Sequence, residues 1–244
     1  MQPIAYIKSP YRQKFAVPRQ PNLVQQAIGD ICFIGDCADA NCLRGLEGFS
    51  HVWLLFLFHE VQDKAWSATV TPPRLGGSER VGVFASRSPF RPNSIGLSAV
   101  EIVGVLQQGK DLRLRVRGID LIDGTPILDI KPYVPYADAM PEAKGGFAPT
   151  APGADSGSSV TVNFSNNSLN QIENINFKLC DLRAFITEVL SQDPRPAQHV
   201  RKGETREYGM FLYDYNVRWR ATDTAMEVLS VEPIITGQEP PAWS

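Results

Sequence analysis

The 244-residue sequence lacks an excess of positive charge: 24 Lys and Arg stand against 26 Asp and Glu, a net charge of −2. No global positive field marks a polyanion partner, so any such site has to come from local clustering. Cysteine is scarce. The four cysteines, at 32, 37, 42 and 180, match neither the spacing of a zinc knuckle nor a dense disulfide framework, and are read as free thiols with no metal site. The three histidines, at 51, 59 and 199, form no HExxH pattern. No GxGxxG turn, P-loop or GxSxG elbow occurs, which excludes the doubly wound nucleotide-binding enzymes and the nucleophile-elbow hydrolases. The longest strongly apolar run, VWLLFLF at 52–58, is far too short to cross a bilayer as a helix. Pro3, Lys8 and Pro10 interrupt the N-terminal stretch where an export signal would need unbroken apolar residues. The expectation is a soluble, cytoplasmic protein with no membrane partner.

What is present is a β-rich pattern. Hydrophobic residues make up 43% of the chain, enough for a real core, and 19 Gly with 19 Pro favour many turns over long helices. Strands are predicted at 3–8, 29–34, 51–58 (central, buried on both faces), 80–85, 96–105, 112–117, 127–130 and 133–134. The clearest is LRLRVR at 112–117, whose strict alternation puts three apolar side chains on one face and three arginines on the other. No good amphipathic helical period occurs in this part, so a closed barrel or a sandwich fits best. The predicted organisation is mainly β: a β-barrel-like domain over 1–136, an Ala/Pro/Gly/Ser-rich linker over 137–159, and a small α+β domain over 160–236. In the last, 160–164 reads as a strand, 165–168 supplies capping residues, 178–192 is a helix, and 206–220 and 225–231 are two strands.

Four segments stand out: AVPRQ at 16–20, FASRSPFRPNSIGLS at 84–98, DLIDGTPILDIKPY at 120–133, and QDPRP at 192–196 with YGMFLYDYNVRW at 208–219. No acid lies between Arg80 and Ala99, while Arg80, Arg87 and Arg91 sit among prolines. Such loops suit a carboxylate or phosphate, because the guanidinium fork is planar and always charged, or are plain solvated turns. Asp120, Asp123 and Asp129 either accept backbone N–H bonds around a tight turn or bind a ribose diol or a cationic centre. Their spacing is not that of a divalent-metal site. Tyr213, Tyr215, Val217 and Trp219 alternate with Asp214, Asn216, Arg218 and Arg220. With Arg195, Arg201, Lys202 and Arg206 these form an aromatic and basic patch, either core or an RNA-binding surface.

Taken together the segments resemble the S-adenosylmethionine-dependent β-barrel methyltransferases that modify N6-threonylcarbamoyladenosine in tRNA, just 3′ of the anticodon. The resemblance runs from SPYRQKFAVPRQP at 9–21, through RGLEGFSHVWLLFLFH at 44–59 and TPPRLGG at 71–77, to YDYNVRW at 213–219. Its C-terminal part is similar to the bacterial subgroup with an extra small domain. The resemblance implies a homodimer with S-adenosylmethionine at the subunit interface. Its contacts would be Pro18, Arg19, Gln20, His59, Glu60, Arg87, Leu97, Asp120, Leu121, Ile122 and Asp123, with Arg19 or Arg87 on the methionine carboxylate. Asp129, Asp123 and His59 are the candidate acceptors of the proton lost from the adenine N6. Arg91, Lys131, Arg218 and Arg220, with Arg113, Arg115 and Arg117, are candidate contacts to the tRNA. Ser94 stands where the family commonly has proline. The implied reaction is methylation of N6 at tRNA position 37, in threonine tRNA. The rival reading from another class is a non-catalytic RNA-binding or S-adenosylmethionine-sensing barrel.

Overall fold

The computed structural model describes residues 1–61, 65–75, 79–151, 160–195, 199, 206–222 and 225–239. Arg201, Lys202, the glycines of TPPRLGG and residues 152–159 of the expected linker lie outside them. The first strands are β1 (Ala5–Lys8), β2 (Ile28–Phe33), β3 (His51–Leu57), β4 (Thr69–Val70), β5 (Val81–Gly82), β6 (Ile95–Gln108), β7 (Asp111–Arg117) and β8 (Pro126–Pro132). Six of them close into a barrel in the order β1-β2-β7-β6-β3-β8, while β4 and β5 form a separate ribbon. Period-two alternation fills the barrel: Leu112, Leu114 and Val116 are buried, and the arginines between them point outward. Gly96 leaves room inside for the ring of Phe56, its cross-strand partner, which occupies the space that a Cβ at 96 would need.

Two expectations here need correction. The 51–58 segment is not buried on both faces. Val52, Leu54 and Phe56 point into the barrel, but His51, Trp53, Leu55 and Leu57 are only half-buried, because a closed barrel has an outer face even where its residues are apolar. The 80–85 segment is strand only at Val81–Gly82, and Val83–Ala85 then turns as a single 3-10 coil.

A four-residue helix, α1 (Pro135–Asp138), follows the barrel. The C-terminal part contains β9 (Thr161–Phe164), α2 (Asn166–Asn174), α3 (Leu182–Ser191), β10 (Arg206–Leu212), β11 (Tyr215–Ala221) and β12 (Ala225–Pro233). Its sheet runs β10-β11-β12-β9, with β9 parallel to β12 and the other pairs antiparallel. Ser165 caps α2 by accepting the Ser168 amide, and Asp181 caps α3 by accepting the Ala184 amide at 3.0 Å. The α3 stripe Leu182, Phe185, Ile186, Val189 and Leu190 is buried, as its spacing predicts. The expected single strand over 206–220 is instead a hairpin, with Leu212 paired to Tyr215 around Tyr213 and Asp214.

By internal contacts the chain divides into two units. One holds Met1–Lys8, Asp30–Val116 and Gly124–Ala151; the other holds Ser9–Gly29, Arg117–Asp123 and the described residues from 160 onward.

Candidate active site

The second unit gathers two of the expected cofactor segments on one frame. Lys14–Ala16 is a 3-10 turn, after which Pro18 is buried, Arg19 exposed and Gln20 half-buried. Asn22 then enters the left-handed region at φ 64° and donates its amide to the Gly118 carbonyl at 2.8 Å. Gly118, at φ 75°, donates in turn to the Ala27 carbonyl at 2.9 Å. Downstream, Asp120 and Ile122 are half-buried, whereas the Leu121 side chain lies in the core at 1% exposure and leaves only backbone for a ligand. The Asp123 carboxylate accepts the Ser9 amide at 2.8 Å, and the Asp123 amide donates to the Tyr11 carbonyl at 2.8 Å. Residues 18–20 and 120–123 are thus both fastened to the stretch between Ser9 and Ala27.

The first unit carries the others. His59 and Glu60 open a one-turn coil after β3, and the His59 Nδ1 is buried with no hydrogen-bond partner among the described residues. The strand end is fixed by the Phe58 amide, which donates to the Ser94 carbonyl at 2.9 Å. The loop before Ser94 is stiffened by hydrogen bonds: Arg91 donates to the Ser86 carbonyl at 3.2 Å, and the Ser94 amide donates to the Arg91 carbonyl at 3.2 Å. Ser94 itself is at φ 44°, where a proline ring locked near −65° would not fit. Arg87 is exposed on this loop. Leu97 and Asp129 both pair with Leu55, from β6 and β8 respectively, so the three share the barrel's outer face. The Asp129 carboxylate accepts the Ile130 amide at 2.9 Å and pairs with Lys131 at 2.9 Å.

The candidate tRNA-contacting cations are mostly compensated. Arg115 grips Asp30 with two bonds, of 2.7 and 3.0 Å, and Arg113 bonds Asp111. Arg218 and Arg220 share the Glu207 carboxylate at 3.0 and 2.7 Å. The hydrogen bond from Arg220, more than the charges around it, holds the Glu207 carboxyl below its usual range. Val217 and Trp219 are core, with Trp219 stacked on Tyr208 at 4.5 Å, while Arg218 is exposed and Arg220 half-exposed on the other face. No group of His, Cys, Asp and Glu among the described residues could hold a metal ion.

In the first unit, exposed Arg87 suits a carboxylate, Leu97 offers apolar surface, and the His59 Nδ1 has no hydrogen-bond partner among the described residues; in the second unit, exposed Arg19 suits a carboxylate. Sequence reasoning missed Ser9 and Tyr213, since a serine before a proline and a tyrosine in a strand-like run carry no signal of their long-range hydrogen bonds.

Comparison with known proteins decides the family. Residues 6–139 match the tRNA-methyltransferase O N-terminal domain, and residues 157–234 match the TrmO C-terminal domain. The chain belongs to the tRNA-methyltransferase O family. As a member it is an S-adenosylmethionine-dependent tRNA methyltransferase, and the non-catalytic reading is not carried forward. An Escherichia coli K12 relative named tRNA (adenine(37)-N6)-methyltransferase is 47% identical over 232 residues, covering 94% of this chain and 96% of its own. A Pseudomonas aeruginosa relative named "Putative S-adenosylmethionine-dependent methyltransferase RcsF" is 44% identical over 218 residues, covering 89% of this chain and 90% of its own. The crystal structure of TrmO from Pseudomonas aeruginosa matches with a TM-score of 0.76 at 39% identity, covering 96% of each chain.

Proposed function

We propose that this enzyme methylates the exocyclic N6 of adenosine 37, beside the anticodon, in a threonine tRNA whose adenosine already carries the threonylcarbamoyl group. The observation that carries the reading is the 47% identity, over almost the whole of both chains, to a protein named for adenine-37 N6 methylation. The cytoplasm is its working compartment.

Residues 1–136 form the catalytic domain and 160–236 the appended domain, joined by the 137–159 linker. S-adenosylmethionine is held by Pro18, Arg19, Gln20, His59, Glu60, Arg87, Leu97, Asp120, the Leu121 backbone, Ile122 and Asp123. It supplies an electrophilic methyl group when bound. Arg19 or Arg87 takes its carboxylate by charge-assisted pairing, and Leu97 packs against its adenine. The site is completed in a homodimer: Trp53, Leu55, Leu57 and Leu97 give the outer face of β3 and β6 an apolar surface that a second copy would cover.

The substrate nitrogen is ureido-like and a poor nucleophile, so holding it in line with the methyl group supplies most of the rate. Transfer would form the N6–CH3 bond as the donor's S–CH3 bond breaks and its sulfur leaves as a neutral thioether, and the proton lost from N6 needs an acceptor. We assign that role to Asp129, which shares the outer face with Leu97. Asp123, whose carboxylate accepts the Ser9 amide, and His59 remain the alternative acceptors. Arg91, Lys131, Arg218 and Arg220 contact the tRNA.

The test is transfer of labelled methyl from S-adenosylmethionine to tRNA from cells lacking this protein, beside tRNA lacking the threonylcarbamoyl group. Label confined to the modified tRNA is expected, and equal labelling of both would overturn the substrate. Asp129→Asn should retain S-adenosylmethionine binding and lose turnover. Wild-type turnover in that variant removes Asp129 as the base and turns attention to Asp123 and His59.

A further inference from the structure

The stretch 9–13 has no helix or strand of its own, yet it is tied down on two sides within the second unit. On one side, the Ser9 hydroxyl donates to the Leu121 carbonyl at 2.6 Å and the Ser9 amide donates to the Asp123 carboxylate at 2.8 Å. The same hydroxyl accepts the Tyr11 amide at 3.2 Å, and the Tyr11 carbonyl accepts the Asp123 amide at 2.8 Å. Ser9 is only 8% exposed, so each of these bonds replaces one that water cannot readily supply. On the other side, the Pro10 carbonyl accepts the Tyr213 amide at 2.9 Å, and Arg12 donates to the Tyr213 carbonyl at 2.8 Å and to Asp214 at 2.7 Å. Gln13 accepts the Phe211 amide at 2.9 Å. The β10–β11 hairpin therefore anchors one edge of the stretch, and the loop 121–123 hangs from the other.

We propose that Ser9 is a positioning residue of the methyl-donor site: it sets the backbone of 121–123, with the C-terminal hairpin as its fixed point. The inference rests on the reading above that 120–123 contacts S-adenosylmethionine. On this reading Ser9 acts through Leu121 and Asp123 rather than by touching donor or substrate. Its hydroxyl holds the Leu121 carbonyl, and its backbone amide holds the Asp123 carboxylate. On this view the C-terminal domain is part of the scaffold of the donor site, besides anything it does with tRNA.

The experiment uses the full chain and S-adenosylmethionine itself. Hydrogen exchange of the wild type, with and without S-adenosylmethionine, tests the reading: protection of the 120–123 amides is expected. In Ser9→Ala, the dissociation constant and the KM for S-adenosylmethionine should rise about tenfold, roughly the loss of one buried hydrogen bond, with kcat at saturation changing less than about twofold. Where Ser9→Ala does not fold, Ser9→Cys, with a weaker donor of similar size, should give a rise of about threefold. A fall in kcat with an unchanged dissociation constant marks a merely structural role and overturns the proposal. Unchanged affinity, with 120–123 still protected in the wild type, overturns it while the donor reading stands. Absence of protection in the wild type removes the donor reading and the proposal together.

Discussion

Asn22 and Gly118 face each other across the frame of the second unit, both in the left-handed region, with the Asn22 amide 2.8 Å from the Gly118 carbonyl. The Asn22 side-chain oxygen occupies the space that a Cβ at 118 would require. Only glycine meets both conditions without strain. Gly118→Ala should cost about 1–2 kcal/mol from the backbone alone, and more as Asn22 is displaced. Calorimetry should show the transition lowered by roughly 2–4 °C for each kcal/mol. An unchanged transition would mean that the turn relaxes freely.

Cys180 links stability to alkaline pH. Burial pushes its thiol from 9.0 up to about 11, against a hydrogen bond with Tyr213 that lowers it. The folded state therefore keeps the proton where the unfolded chain has lost it. The resulting stabilisation is complete below pH 9 and is lost as pH rises through 11. Tyr11, raised well above 10.0 mainly by burial, adds to the loss at the upper end. Urea midpoints of Cys180→Ala should fall less steeply between pH 9 and 10 than those of the wild type, whatever constant offset the lost packing brings. Parallel slopes would rule the thiol out.

One carboxylate lies between two guanidinium groups on the C-terminal sheet, and this sets the sign of two substitutions. Replacing Arg218 and Arg220 together with Ser should flatten the dependence of log K on log salt for tRNA binding by roughly 1–2 units. Glu207→Gln removes the carboxylate that both arginines share, leaving Arg220 only Glu227 at 3.9 Å, and should steepen it. If neither slope moves in filter binding across a salt series, these residues lie off the tRNA interface.

Leu55, placed by register between Leu97 and Asp129, tests the outer face of the barrel. In the proposed dimer a carboxylate there would be desolvated by the second copy, so Leu55→Asp should yield a monomer by light scattering and weaken S-adenosylmethionine binding. A dimer of unchanged mass would place the subunit contact elsewhere.

The parts that repeat at short range were legible in the amino-acid order alone. Alternation at 112–117 predicts a half-buried strand and is one, because period two needs only a pleat and a core on one side. The α3 stripe and its capping Asp181 are likewise local. The segments 18–20 and 120–123 were legible as candidates through their family resemblance, although not the way they are held. Only the tertiary structure decided that LYDYN at 212–216 is a turn. It contains no glycine to relieve a positive φ, and Tyr213 adopts 52° because distant groups hold it. Its phenol donates to the Ile28 carbonyl at 3.0 Å and accepts the Ile28 amide at 3.1 Å, while its ring packs against Phe177 and Phe185. The same holds for Ser9, whose partners Leu121 and Asp123 lie more than a hundred residues away. Local pattern reports on which face a side chain takes. Which distant carbonyl or amide a lone polar group meets depends on how the chain closes, and that information is spread over the whole fold.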